Sequence, residues 1–424
     1  MTFAAGISLV ILVAVILISY FKKINVGLVA LLGAFILGLF VTEVNSNGVA
    51  IALSSPAAKA KTLIGGFNYS LWFTIMAVSI FFSISQIDGT MELVTKRLVM
   101  LTRGKTRIIP IVFFILSTLV GALGAGSYGV LLIFMPLATS VAMEEGISFI
   151  LMGIAVAVGA AVGTCSPLGT AGIAIGNYTS GMALEAPLGW NLWIRFLICA
   201  TITYVLFFVL FGGLKIKNKG YGERQACEAF SGRQKITLTA ILVFVILALI
   251  VKVEVGFAAI ICAVVVAFIN KVDEKKIFAM IPWSTLILVA GMGILINVVK
   301  MAGGIDLLTT QLTKLMTPLT AAPIISLMAG IMSSVSSAVG VVIPTLVPTV
   351  EGIAAATGTG PAHLVRAIAF GAHQTGVSPL SSAGALVLAF GGDNIDANKT
   401  FKQLFIVAGY QMLLALIYSA VGIM

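Results

Sequence analysis

Apolar runs of about 17–25 residues alternate with short polar segments along the whole chain, and that is the length at which a helix spans a bilayer. The runs predict helix 1 at about 5–21, helix 2 at 24–42, helix 3 at 70–88, helix 4 at 148–176 and helix 5 at 190–214. Helices 6 to 10 follow at about 236–252, 255–270, 282–302, 362–391 and 403–422. Between helices 3 and 4, and again between 8 and 9, lie two apolar arms around a turn of small residues. These arms are 107–143 around GAGSYG and 321–350 around SSVSSAVG, and they read as re-entrant hairpins. A short amphipathic piece precedes each hairpin, MELVTKRLVML in the first half and 305–317 in the second. The expected fold class is an all-α polytopic membrane protein with about ten transmembrane helices and two hairpins.

Helices 4 and 9 share a motif. Residues 155–172 (AVAVGAAVGTCSPLGTAG) and 367–384 (AIAFGAHQTGVSPLSSAG) are identical in nine of eighteen columns at an offset of 212. Pro136 and Pro348 pair at that same offset, and INVGLVALL at 24–32 resembles VEVGFAAII at 253–261. The chain therefore divides into a first repeat at 1–214, a polar linker at 215–235 and a second repeat at 236–424. Five crossings per repeat require the second to be inverted. In both copies Ser-Pro-Leu interrupts an apolar helix, which frees backbone groups that lipid cannot satisfy, so each break must face protein or a water-filled cavity. Paired breaks in two halves are the sequence sign of a transport site.

Composition narrows the class further. The chain is 60% hydrophobic and 9% charged, with a mean hydropathy of +1.14, too few polar residues to cover a soluble globule of this size. The net charge of +10 sits in short loops, as in cytoplasmic loops of membrane proteins, and does not imply nucleic acid. Threading the helices with both termini outside puts 18 of the 25 Lys and Arg on the cytoplasmic face, as the positive-inside bias demands. The expected location is a bacterial inner membrane. Cys165, Cys199, Cys227 and Cys262 have neither disulfide nor zinc spacing. The lysines follow the first apolar run, the reverse of a secretory signal.

All fifteen acidic residues fall in loops or at helix ends, which argues against a buried-carboxylate proton pump. Hydroxyls and small residues occupy the membrane interior instead. The first half offers Gly126, Ser127 and Tyr128 at the turn and Ser166, Pro167 and Thr170 at the break. The second offers Ser336 and Ser337 at the turn and Ser378, Pro379, Ser381 and Ser382 at the break. Half-helix N-termini suit an anionic carboxylate, and freed carbonyls with Ser/Thr hydroxyls suit sodium. Ser, Thr and Gly also permit close helix packing, the alternative reading of each hydroxyl. His373 lies about 18 Å into helix 9; it reads as a substrate contact, a proton-coupling group or a structural histidine bonded to a carbonyl. Arg366, near the same helix start, either guides an anion inward or snorkels to the interface. GAGSYG fits the dinucleotide fingerprint only literally, having no βαβ unit. Ser127 in AGSYG approaches the nucleophile elbow, so an intramembrane serine hydrolase with His373 as base is a rival reading, but it leaves the duplication unexplained.

The blocks INVGLVALLGAFILG, SQIDGTMELVTKRLV, GAGSYG and VGTCSPLGTAG resemble the bacterial malonate/dicarboxylate carriers (MatC-like permeases), relatives of the divalent-anion:sodium symporters in the ion-transporter superfamily. That resemblance implies a homodimer with a scaffold and a moving part, elevator-like movement, and a site where each hairpin tip meets a broken helix. The implied ligands are the turn and break residues named above. The symporters carry Ser-Asn-Thr at both tips, and neither tip here has the asparagine, so sodium and proton both remain as coupling ions. The expected function is secondary active transport of a small carboxylate, most simply malonate or a C4 acid. A carrier of another anion, such as a sugar acid or inorganic oxyanion, is the alternative.

Overall fold

The computed structural model describes residues 3–22, 24–39, 43–44, 50–51, 63–67, 69–100, 105–218, 229–334, 336–391 and 395–424. Much of the loop after helix 2, part of the basic loop after helix 3, and Cys227 with the middle of the linker lie outside them.

In the first half, α1 (Phe3–Lys22) and α2 (Val26–Gly38) lead to β1 (Glu43–Val44) and β2 (Ala50–Ile51), a two-residue antiparallel pairing in register Glu43↔Ile51. Then come α3 (Tyr69–Ile87) and α4 (Thr90–Met100), the hairpin arms α5 (Ile109–Val120) and α6 (Gly126–Glu145), the broken pair α7 (Phe149–Thr164) and α8 (Thr170–Tyr178), and α9 (Gly189–Leu210). The second half runs α10 (Gly232–Leu249), α11 (Val255–Asn270), α12 (Glu274–Met280), α13 (Trp283–Met301) and α14 (Gly304–Thr313). Its hairpin is α15 (Ala321–Ser334) against α16 (Ile343–Leu346) and α17 (Val350–Thr357). The broken pair α18 (Pro361–Gln374) and α19 (Ser382–Gly391) and the final α20 (Ala397–Ala420) complete it. The order of the first half thus recurs, with α12 added in a loop.

The corners recur too. Gly89 (φ 72°) turns α3 into α4 and Gly303 (φ 77°) turns α13 into α14, a left-handed conformation that glycine adopts without steric cost. The second corner bends the helix pair by 78°. The Pro136/Pro348 pair diverges: α6 runs on through Pro136, whereas Val347–Thr349 tightens to a 3₁₀ turn at Pro348.

The halves interlock. α2 packs on α13 and α11 on α3, each joining one half to the other. The α2–α13 approach is so close that a Cβ on Gly27 would lie 2.2 Å from the Ile287 carbonyl oxygen. Their N-caps cross the same way. Asn25 caps α2 and donates Nδ2 to Ser284 Oγ at 2.7 Å, while Glu254 caps α11 and accepts from Thr74 Oγ1 at 2.8 Å.

These contacts also test the threading. Segments assigned to the basic face meet one another, as in Gln234 Nε2 donating to the Asp88 carbonyl (3.1 Å) and the Arg107 N–H to Asn218 Oδ1 (3.4 Å). Segments of the opposite face do the same. Glu185 accepts from the N–H groups of Ala362 (2.8 Å) and His363 (3.0 Å), and the Thr359 hydroxyl donates to the Pro318 carbonyl (3.3 Å).

The broken helices sit at the centre. α7 is buried from Phe149 to Thr164 except at Ala157, as expected of a helix apolar all round; α18 is buried from Ala362 to Gln374 except at His363, with Arg366, His373 and Gln374 among the buried side chains. α7 has sixteen residues and rises about 24 Å, so it crosses a bilayer only together with α8. Outside the core, large apolar side chains are exposed along α2 (Leu28, Leu32, Phe35) and α11 (Phe257, Ile261, Phe268). Such a surface needs a nonaqueous cover; the fold is that of a multi-pass, all-helical membrane protein.

Candidate functional site

Each break follows from its proline. Pro167 and Pro379 have no N–H to donate and clash with the carbonyl four residues back, and the residue before each is pushed out of the helical region. Ser378 accordingly has φ −51° and ψ 131°. The geometry is the same in both copies. A Cβ on Gly172 would sit 1.9 Å from the Ser166 carbonyl oxygen, and one on Gly384 2.0 Å from that of Ser378. The hairpins pack on the broken helices equally alike: a Cβ on Gly159 would lie 2.5 Å from the Phe114 oxygen, and one on Gly371 2.2 Å from the Ser326 oxygen. All four pairs stand at the 212 offset.

The tips are built differently. The first reverses through Gly124 (φ 111°) and Gly126 (φ 69°), where a side-chain residue would be strained. The second stays extended at Ser337 (φ −109°, ψ 130°), whose hydroxyl accepts from the Gly340 N–H at 3.2 Å.

Both tips and both breaks border one cavity of about 910 Å³, including its open mouth. It brings together Gly126, Ser127, Tyr128, Thr170, Ser336, Ser337, His373 and Ser381, which sequence reasoning named. Thr170 opens α8, so the positive end of that half-helix is presented to the cavity. Alanines 157, 160, 161, 372 and 383 form much of the remaining wall, and among the described residues no Lys, Arg, Asp or Glu lines it.

The other named residues stand behind this wall. Ser166 donates to the Ala122 carbonyl at 2.6 Å and accepts from the N–H groups of Gly169 (3.0 Å) and Leu168 (3.3 Å), tying the first break to the first tip. Ser378 accepts only a long bond from the Leu380 N–H, 3.3 Å. Neither hydroxyl lines the cavity, nor do Pro167 and Pro379. Ser382 opens α19, and its side chain lies outside the described residues. Ser381 does both jobs: it lines the cavity and donates to the Gly376 carbonyl at 2.6 Å.

His373 makes the carbonyl bond of its structural reading and also borders the cavity. Nδ1 is 2.9 Å from the Ala369 carbonyl one turn back, so it carries the proton there, while the buried Nε2 has no hydrogen-bond partner. The ring lines the cavity, with Phe196 edge-on at 6.2 Å. Ser127 lines the same cavity without bonding to that nitrogen, so the serine–histidine pair of the hydrolase reading is not formed. Arg366 is buried near the start of α18, away from the cavity, with Nε unpartnered. Just outside the membrane-spanning part, burial alone would raise the Glu185 carboxyl, but the Ala362 and His363 N–H groups and the Arg366 charge hold it below the usual carboxylate range.

Sequence reasoning missed Ser79 of α3 and Pro282, both lining residues. Ser79 is one serine among several in an apolar helix, and nothing in the pattern singles it out. Ser333 also lines the cavity; it begins the SSVSSAVG turn but lies one turn before the reversal.

Residues 3–164 match the family model described as the N-terminus of the dicarboxylate carrier protein MatC. No curated protein matches the chain. Among solved structures it is similar to the YdaH transporter of Alcanivorax borkumensis, described as having an unusual topology, with a TM-score of 0.61. The superposition covers 93% of this chain and 96% of that one at 14% identity, a likeness of fold. The family match runs through the first repeat to its break, and the likeness over nearly the whole chain is one of fold.

Proposed function

We propose that the protein is a secondary active transporter of a small dicarboxylate, malonate or a C4 acid, coupled to a cation. The observation that carries this reading is the single cavity bordered by both tips and both breaks, rich in hydroxyls and free of fixed charge. A dianion there meets hydroxyl donors and a half-helix N-terminus, and a small cation meets freed carbonyls. A carboxylate with its coupling cation then crosses without leaving an unpaired protein charge in the membrane.

The duplicated breaks support alternating access by an elevator-like movement, with the hairpins and broken helices carrying the substrate past α1–α3 and α10–α13. The apolar faces of α2 and α11 suit lipid or a second copy in a homodimer. The charge count supports a bacterial inner membrane with both termini outside.

Proteoliposomes test the proposal. Saturable uptake of labelled malonate or succinate, competed by unlabelled acid and absent from protein-free vesicles, is expected. Absence of saturable uptake of either, with saturable uptake of a sugar acid or inorganic oxyanion instead, rejects the dicarboxylate assignment.

A further inference from the structure

We propose that His373 carries a coupling proton, so that each dicarboxylate crosses with one proton shared between His373 Nε2 and a carboxylate oxygen. This rests on the cavity being the dicarboxylate site.

The hydrogen bond from Nδ1 to the Ala369 carbonyl fixes the neutral tautomer, leaving Nε2 as a bare lone pair on the far side of the ring. That atom is buried and unpartnered. A neutral imidazole cannot donate to a carboxylate, and two facing lone pairs repel. A carboxylate end can therefore meet Nε2 only if a proton lies between them, on the imidazole or on the acid. The break hydroxyls do not replace it: Ser381 already donates to backbone carbonyls and Thr170 shares its hydroxyl with Thr164 at 2.8 Å.

The surroundings make the coupling strict. The titratable groups on elements packed around the ring are Arg366 and His363 on α18, Arg195, Cys199 and Tyr204 on α9, Lys399, Lys402, Tyr410 and Tyr418 on α20, and Glu351 on α17, with Tyr128 at the first tip. None of them hydrogen-bonds to it, because its only such bond is to Ala369. With no carboxylate in the wall, an imidazolium without substrate is an uncompensated buried charge, and a dianion without the proton brings a second unpaired one. Only the two together are neutralised at that end. On loading, a proton from the aqueous phase bonds to Nε2 as the anion arrives; on release at the other face that N–H bond breaks and the proton leaves to water with the acid. The twin position in the first repeat is Ala161, so a single proton is assigned.

The test uses proteoliposomes without sodium, with the membrane potential clamped at zero. One proton per substrate gives about tenfold accumulation of labelled malonate for each unit of inside-alkaline pH gradient, with matching acidification of an internal dye. His373→Asn keeps a donor toward the Ala369 carbonyl and removes Nε2. It is expected to elute as the wild-type protein does and to lose pH-driven accumulation, falling to about unity. Accumulation indifferent to the gradient, or tenfold accumulation retained by His373→Asn, overturns the proposal. A wild-type protein that moves no dicarboxylate at all rejects the underlying function instead.

Discussion

Ser166 and Ser378 occupy the same column of the same motif, both 1% exposed, yet the structure predicts different consequences of deleting their hydroxyls. Ser166→Ala removes the donor to the Ala122 carbonyl and the acceptor for the Leu168 N–H; the Gly169 N–H keeps the Ser166 carbonyl at 2.9 Å. The buried Ala122 carbonyl at about 1–3 kcal/mol and the long Leu168 bond at about 1 kcal/mol or less make a loss of about 1–4 kcal/mol. Ser378→Ala strands only the Leu380 N–H, held at 3.3 Å, a loss of about 1 kcal/mol or less. Equilibrium unfolding of the purified variants should resolve the difference of roughly 2 kcal/mol, while malonate affinity measured on the folded fraction stays near the wild-type value for both. A Ser166→Ala protein as stable as Ser378→Ala, or one that keeps its stability but loses affinity, would refute the reasoning and make the first serine a direct ligand.

Gly159→Ala and Gly371→Ala should each destabilise by about 1–3 kcal/mol, since their new methyl groups meet backbone oxygen; Gly176→Ala, with nothing within 4 Å, should be neutral or stabilising in the same unfolding series. Glu185→Gln should cost no more than about 1 kcal/mol, because an exposed helix-end charge is screened. Since the folded-state carboxyl is held below its ordinary value of 4.5, its contribution is complete above that pH and fades as pH falls through the lower folded value. A Glu185→Gln unfolding curve that parallels the wild type through that acid window counts against the cap. In a Cys227→Ser background, where Cys165, Cys199 and Cys262 are buried, Ser127→Cys and Ser337→Cys should react with a small maleimide and both be protected by malonate. Protection of one alone would break the single-cavity reading.

The helical pattern was legible because the bilayer fixes helix length, and that constraint acts on residues visible without coordinates. The hairpin reversal was legible at Gly124 and Gly126, where only glycine takes positive φ at low cost. The site was legible only in part. Ser, Pro and Gly mark where a helix breaks, but not which way each hydroxyl points once the break has formed. Ser166 and Ser378 turned to the backbone because a break creates orphan N–H groups beside them, whereas Ser381, three residues on, reaches both the backbone and the cavity. Ser79 and Pro282 come from elements distant in sequence, so tertiary packing alone brings them to the wall.

Duplication accounts for the backbone of the site but not for its chemistry. The close contacts of Gly159 and Gly371, and of Gly172 and Gly384, are the same contact made twice, because a methyl group at any of the four would meet backbone oxygen. The groups at the cavity wall obey no such constraint. His373 faces Ala161 across the repeat relation, Ser381 replaces Gly169, and Ser127 and Tyr128 correspond to Val339 and Gly340. The second half thus supplies an imidazole, a break serine and the tip serines Ser336 and Ser337, the first a tip serine, a tyrosine and Thr170. Under the proposed function, the two ends of a dicarboxylate would therefore meet different partners, and only one end would meet the imidazole. Substitutions at twin backbone positions should then act alike, as argued for Gly159 and Gly371, while those at twin side chains should not; introducing histidine as Ala161→His should not restore proton coupling to His373→Asn.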